Sequence, residues 1–91
     1  MVSLDNYVSR NTAVPWRVIE GEAILVDVSA GKVIQASQTA AFIWEQLDGS
    51  KTIGEIIDRV CADFAVEKER ARQDTLEFLE ELIRKKLIRV K

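Results

Sequence analysis

The side chains that most often carry catalysis or bind metals are nearly absent from this chain. None of its 91 residues is a histidine, and Cys61 is its only cysteine. Nucleophilic catalysis by a Ser-His-Asp or Cys-His group is excluded, because its general base is missing. A zinc site built from cysteine and histidine is excluded as well, and so is a disulfide within the chain. We therefore predict a binding protein with no enzymatic activity and no cofactor.

Basic residues offer a second kind of chemistry, the binding of anionic groups. They are densest near the C-terminus, at Arg84, Lys85, Lys86, Arg89 and Lys91. Such a run can contact phosphate, but it also suits a solvated helix end, where cations offset the helix dipole. Glu77, Glu80 and Glu81 lie one or two turns away and weaken any attraction for phosphate. The solvated helix end is therefore the favoured interpretation.

Length and overall charge narrow the class of protein further. A chain of 91 residues supports one domain, which we place over residues 1–91 with its core at about 14–90. With 13 basic and 15 acidic residues the net charge is −2, which argues against a nucleic-acid partner. No apolar run approaches the roughly 20 residues of a transmembrane helix, and the N-terminal segment does not have a signal-peptide pattern. A lone cysteine fits a reducing compartment, so we expect a cytoplasmic protein with no membrane partner.

Three strands are predicted before residue 37, over residues 14–19, 22–28 and 32–36. In the second strand Ile24, Val26 and Val28 share one face, because side chains alternate along a strand. Short connections predict an antiparallel meander with the second strand in the centre. Pro15 has no N–H to donate, so the first strand is expected at one edge of the sheet and the third at the other.

Three helices follow, each with its own sequence signal. Ser37 caps the first helix, whose apolar residues are Ala40, Ile43, Trp44 and Leu47, and Asp48-Gly49-Ser50 ends it. Thr52 and Glu55 form a capping box before a stripe made of Ile53, Ile56, Ile57, Val60, Cys61 and Phe64. We expect the Cys61 thiol to be buried and unreactive, and Trp44 to lie in the core.

The third helix is predicted over residues 67–86, with an extended segment at 87–90. Its core stripe should contain Thr75, Leu76, Leu79, Leu82 and Ile83, with Phe78 on the shoulder. The order of strands first and helices after predicts an α+β fold, with three helices on one face of a three-stranded antiparallel sheet.

The edge strand 32–36 is one candidate binding surface. Its unpaired N–H and C=O groups can accept an extended peptide as an added strand. It can equally be an ordinary edge that is kept short and guarded by Lys32, and from the residues alone this second interpretation is favoured. A further candidate is the line of Ala71, Thr75, Phe78, Leu82 and Lys85 on the third helix. There Phe78 and Leu82 are either peptide anchors or core, and Lys85 can pair with a carboxylate.

Several segments together resemble the PqqD-like family, named for pyrroloquinoline quinone biosynthesis protein D. They are residues 39–49 (TAAFIWEQLDG), 52–56 (TIGEI), 74–82 (DTLEFLEEL) and the terminal Leu87-Ile88. The resemblance implies a winged helix-turn-helix-like domain that binds the leader of a ribosomally made precursor peptide. Such domains present the precursor to a modifying enzyme, such as a radical SAM enzyme or a peptidase.

The resemblance also reverses the preference at the edge strand, because family members hold the leader beside this strand and against the third helix. The peptide-binding residues that it implies are Lys32, Val33, Ile34, Gln35, Ala36, Thr75, Phe78, Leu82 and Lys85. The chain departs from the family at Ala36-Ser37, where members often carry Leu-Asn, and at Lys86, where many carry glycine. Two alternatives stay open. One is a winged-helix DNA-binding regulator, which the pI of about 5.1 disfavours. The other is a dimerisation module whose edge strand pairs with its own copy as a homodimer.

Overall fold

Six strands and three helices make up the chain in the computed structural model, which describes residues 2–91. In chain order they are β1 (Tyr7–Arg10), β2 (Trp16–Ile19), β3 (Glu22–Asp27), β4 (Lys32–Ala36), α1 (Gln38–Gln46), β5 (Asp48–Thr52), α2 (Ile53–Phe64), α3 (Lys68–Arg84) and β6 (Ile88–Val90). The strands form two antiparallel sheets, ordered β2-β3-β4 and β5-β1-β6. The α+β class is therefore confirmed, and the single three-stranded sheet is not.

The β2-β3-β4 sheet is the predicted meander, with β3 in the centre and β2 and β4 at its edges. A two-residue turn joins β2 to β3, and both of its residues have positive φ, 52° at Glu20 and 80° at Gly21. This turn matches the right-handed twist of a hairpin. Ile24 and Val26 share a face of β3 as predicted, but that face is half-exposed, whereas Ala23 and Leu25 are buried. Side-chain alternation defines two faces, and the helix that packs on one of them decides which face is buried.

Of the β5-β1-β6 sheet, only the extended segment at 87–90 was predicted from the sequence, and β1 and β5 were not. Asp48–Thr52, whose residues were expected only to end one helix and cap the next, pairs with β1, where Tyr7 lies opposite Thr52 and Ser9 opposite Asp48. On its other side β1 pairs with β6, so that Val8 lies opposite Val90. These strands are short, and Val8, 1% exposed, is the only fully buried residue of β1. The sheet brings β1 and β6 together from opposite ends of the chain. No local sequence pattern predicts pairing between strands so far apart in the sequence.

The helix boundaries follow the predicted caps. The Ser37 hydroxyl accepts the Ala40 N–H, and the Thr52 hydroxyl accepts the Glu55 N–H at 3.2 Å. The Glu55 carboxylate in turn accepts the Thr52 N–H at 2.9 Å, which completes the capping box. Hydrogen bonds from the Thr52 N–H and hydroxyl lower the pKa of Glu55.

The end of α3 has a backbone conformation that favours glycine at the position before the terminal apolar pair. Lys86 adopts a left-handed conformation, with φ of 60°. Its N–H donates to the Ile83 carbonyl and the Leu87 N–H donates to the Leu82 carbonyl, both at 3.0 Å. This is the Schellman arrangement, in which glycine is favoured because it has no Cβ. The helix consequently ends at Arg84 instead of Lys86.

The core lies between the two sheets and the three helices. Trp44 is 0% exposed at its centre, as predicted, and its ring meets that of Trp16 edge-on at 6.0 Å. Cys61 is half-buried, so the prediction of a buried thiol is wrong. It lies at the rim of the core, where the apolar stripe of α2 reaches the surface near its last turn. None of the helices in residues 2–91 is long and apolar enough to cross a membrane.

Candidate functional site

The free edge of β4 is the first part of the candidate site. The Val26 N–H donates to the Pro15 carbonyl on the β2 side of β3. Because backbone groups alternate along an antiparallel strand, Leu25 points the other way, toward its partner Ile34 in β4. It follows that Val33 and Gln35 direct their N–H and C=O groups away from β3. No strand of residues 2–91 pairs with that side of β4.

The side chains of β4 alternate in the same way. Val33 is 67% exposed and Gln35 is exposed, whereas Ile34 is half-buried and Ala36 is 4% exposed. Lys32, at the start of the strand, is exposed and lies opposite Asp27. A strand added at this edge would therefore meet two outward backbone positions and an apolar inner face.

A groove of about 570 Å³ between α1 and α3 is the second part of the site. It begins where β4 ends, because Ser37, which follows Ala36, lines it. Its apolar wall and floor include Ile43 and Val60, both 2% exposed, and the half-buried Phe78. Arg70 and Asp74 line it as well and form an ion pair at 3.5 Å. An apolar floor beside a few polar groups suits the capture of an apolar side chain.

The other end of α3 lies near the start of β4. A second cleft, of about 500 Å³, is lined by Asp27 at the end of β3, by Ser29 of the β3–β4 connection, and by Lys85 and Lys86. Since Ser37 lies beside the first half of α3 and the β3–β4 connection beside its last turn, α3 runs antiparallel to β4. The Lys85 ammonium is 3.2 Å from the Glu81 carboxylate and stays partly exposed. The strand edge and the helix thus flank one elongated surface, which we call the β4–α3 surface.

Three of the predicted site residues have side chains that do not reach this surface. Thr75 is 0% exposed, Leu82 is 1% exposed and Ala36 is 4% exposed, and Ile34 is half-buried. A peptide lying on the surface has no access to the three buried side chains, which corrects their assignment as side-chain contacts. Thr75 and Leu82 share the buried stripe of α3 with Ala71 and Leu79, as the predicted core stripe had placed Thr75, Leu79 and Leu82. Phe78 and Lys85 are accessible, and so are Lys32, Val33 and Gln35 of β4.

Other residues at the site were missed as site residues. Thr39, Arg70 and Asp74 line the groove, and Ser37 does so in addition to its capping role. The helical spacing of Ala71, Asp74 and Phe78 is a signal that would have placed Asp74 beside Phe78. No local signal relates Ser37 and Thr39 to α3, because only the packing of α1 brings them there.

The two carboxyl groups whose pKa is lowered, those of Asp48 and Glu55, lie outside the β4–α3 surface. Hydrogen bonds from the Ser50 hydroxyl and N–H, at 2.6 Å and 2.9 Å, hold the pKa of Asp48 well below its usual range. Asp48 and Glu55 both stabilise local backbone structure near the start of α2. Within residues 2–91 no group of three or more His, Cys, Asp or Glu side chains is placed to hold a metal ion.

Comparison with known proteins connects this surface to a family. The family model described as coenzyme PQQ synthesis protein D (PqqD) matches residues 22–88, which confirms the resemblance. The matched region contains β3, β4 and all three helices, and therefore both sides of the β4–α3 surface. No curated protein matches the chain.

A similar solved structure is described as TbiB1 in complex with the TbiA(beta) leader peptide. It shares 28% sequence identity with this chain, and the match covers 88% of this chain and 93% of that one. The TM-score is 0.78, so the similarity extends over nearly the whole fold.

Proposed function

Because the chain belongs to the PqqD family, we propose that it is a non-catalytic adaptor that binds the leader segment of a ribosomally made precursor peptide. The observation that carries this proposal is the free edge of β4 beside the groove of α3, both within the matched region. The similar TbiB1 structure, which contains a leader peptide, supports it. The adaptor presents the precursor to a modifying enzyme, such as a radical SAM enzyme or a peptidase, in the cytoplasm. The proposal includes the winged helix-turn-helix-like character of the domain.

The leader binds by strand addition at β4. Val33 and Gln35 each offer one outward N–H and one outward C=O, so that four backbone hydrogen bonds are available. A five-residue strand spans about 16 Å at roughly 3.3 Å per residue, which matches a leader segment of about five residues. Backbone pairing sets the register of this segment. It does not discriminate between leader sequences, because the leader's side chains take no part in it.

Selectivity comes from the side of the added strand that faces α3. Alternate leader side chains point toward the groove, where Ile43, Val60 and Phe78 provide apolar contact. At the other end of the surface Lys32 and Lys85 provide positive charge, and Lys85 can exchange its exposed partner Glu81 for a leader carboxylate.

Holding the leader raises the local concentration of the precursor at the enzyme. A short tether gives an effective concentration in the millimolar range, which lets an enzyme with weak affinity for the core peptide act on it. This role needs no reactive group in the adaptor, and it gives the absence of histidine a simple explanation.

An NMR titration with the leader peptide of the precursor encoded beside this gene tests the proposal. We expect saturable amide shifts at micromolar peptide, clustered on residues 32–39 and on 70–78 of α3. Shifts spread over β5 and α2 instead, or no shifts at all, would refute it. A salt-dependent complex with duplex DNA in a gel-shift assay would favour the DNA-binding alternative. A stable dimer in sedimentation that ignores the leader would favour the dimerisation module.

A further inference from the structure

A basic cleft of about 470 Å³ lies outside the β4–α3 surface. It is lined by Arg10 of β1, Trp16 of β2 and Arg89 and Lys91 at the C-terminal end, with Asp48 at its side. Trp16, which forms one wall of the cleft, belongs to β2, and β3 separates β2 from β4. The cleft and the free edge of β4 are therefore on opposite edges of the same sheet, and both can be occupied at once.

The cations of this cleft have no acidic partner among residues 2–91. Five of the 13 basic side chains of the sequence form ion pairs within residues 2–91, and Arg10, Arg89 and Lys91 are not among them. Asp48, the one acidic residue in the described part of the chain that lines the cleft, already accepts a hydrogen bond from Ser50 and pairs with Lys51 at 3.4 Å. The cleft thus concentrates unpaired positive charge on a protein whose net charge is −2, and it suits an anionic partner.

Arg10 is held in place at the base of this cleft. One of its terminal nitrogens, Nη1, donates to the Trp44 carbonyl at 2.8 Å and to the Glu45 carbonyl at 3.0 Å, at the end of α1. Its guanidinium carbon lies 4.9 Å from the centroid of the Trp16 ring. The remaining N–H groups of Arg10 have no partner among the described residues. A fixed guanidinium beside an indole that is 39% exposed can bind a carboxylate and an apolar side chain together.

We propose that this cleft binds an acidic segment of the modifying enzyme and is the second docking surface of the adaptor. The identity of the partner as a modifying enzyme rests on the proposed function. The apolar wall of Trp16, Val14 and Leu47 favours a protein segment, with carboxylates flanking an apolar side chain, over a free phosphate. The Asp48 carboxylate at the side also disfavours a polyanion such as nucleic acid. Arg89 and Lys91 are exposed and reach the carboxylates that Arg10 does not.

The test uses the blocked peptide acetyl-Asp-Leu-Glu-Leu-Glu-amide, its Asn/Gln counterpart and inorganic phosphate as probes in NMR titrations. We expect the acidic peptide, and not the amide counterpart, to shift Arg89, Lys91 and the Trp16 indole N–H. The double variant R89E/K91E should weaken this binding at least ten-fold. The control R59E/K68E makes the same charge change at exposed positions outside the cleft and should alter binding less than two-fold.

The same two variants are then compared for binding to the enzyme that modifies the precursor, and again only R89E/K91E should lose affinity ten-fold. Equal losses in both variants, no shift at the cleft, or phosphate binding as tight as the peptide would overturn the inference. A separate titration of wild-type protein with the leader distinguishes the two proposals. If the leader binds β4 and the acidic peptide does not bind the cleft, only this inference fails. If the acidic peptide binds and the leader does not, the proposed function fails instead.

Discussion

Substituting Val33 with proline tests whether the backbone groups of β4 that point away from β3 bind the leader. The register directs the Val33 N–H away from β3, so Val33→Pro removes a donor that the fold does not use. Its side chain is 67% exposed, and little packing is lost. We expect the free energy of unfolding to change by less than about 1 kcal/mol. Ile34→Pro, one residue along, removes a donor that pairs with β3 and should destabilise the protein by about 3 kcal/mol or more.

The effect on leader binding follows from the same geometry. Losing one backbone hydrogen bond costs about 0.5–1.5 kcal/mol, which corresponds to a roughly 2- to 13-fold increase in Kd. The proline ring also obstructs the approach of an added strand, so we expect an increase of about ten-fold. The control Val33→Ala keeps the N–H and should stay within about two-fold of the wild type.

Fluorescence anisotropy with a labelled leader measures the Kd, and urea denaturation verifies that each variant is folded. If Val33→Pro is folded and binds the leader as tightly as Val33→Ala, strand addition at β4 is refuted. A loss of binding that accompanies a loss of stability would instead show that the register derived for β4 is wrong.

Further predictions concern the groove and the local structure around it. Phe78→Ala should weaken leader binding about five-fold in the anisotropy assay, because about 1 kcal/mol of apolar contact is lost. Thr75→Val should stabilise the protein by about 1 kcal/mol in urea denaturation, since the buried Thr75 hydroxyl has no hydrogen-bond partner among residues 2–91; a destabilised variant would show that the hydroxyl does form a hydrogen bond. Lys86→Gly should raise the free energy of unfolding by about 0.5 kcal/mol, because left-handed backbone strain is removed. Hydrogen bonds hold the pKa of Glu55 below its usual 4.5, so its stabilising contribution is present above pH 4.5 and is lost as the pH falls through the lowered pKa. Thr52→Ala should flatten this acid dependence in melting curves recorded between pH 7 and pH 3.

The sequence predicted correctly those helices and strands that depend on interactions between residues close together in the chain. The caps at Ser37 and Thr52 were placed correctly because a hydroxyl meets an N–H three residues away. The β2-β3-β4 meander was predicted because each of its turns joins neighbouring strands. By contrast, β1 pairs with β5 and β6, which lie far from it in the sequence. Residues 87–90 were predicted to be extended, but nothing local indicated β1 or β5 or the pairing of the three strands.

Some residues of the candidate site were likewise predictable from the sequence, and others were not. Lys32–Ala36 was identified as an edge from the order of the strands, and Phe78 from its place on the shoulder of α3. Helical spacing placed Thr75 and Leu82 in the core stripe of α3, and their burial confirms it; their further assignment as peptide contacts came from the resemblance and conflicts with that burial. Ser37 and Thr39 joined the site only because α1 packs against α3.

The sequence by itself determined that this chain contains no histidine, that it has three capped or amphipathic helices and that one meander leaves a free edge. Those properties depend on residue types and on contacts between near neighbours. Only the tertiary structure decided that α3 runs beside that edge and that Arg10, Trp16, Arg89 and Lys91 share a cleft. Such groupings require closing long loops between distant segments, and the free energy for that comes from packing the whole core.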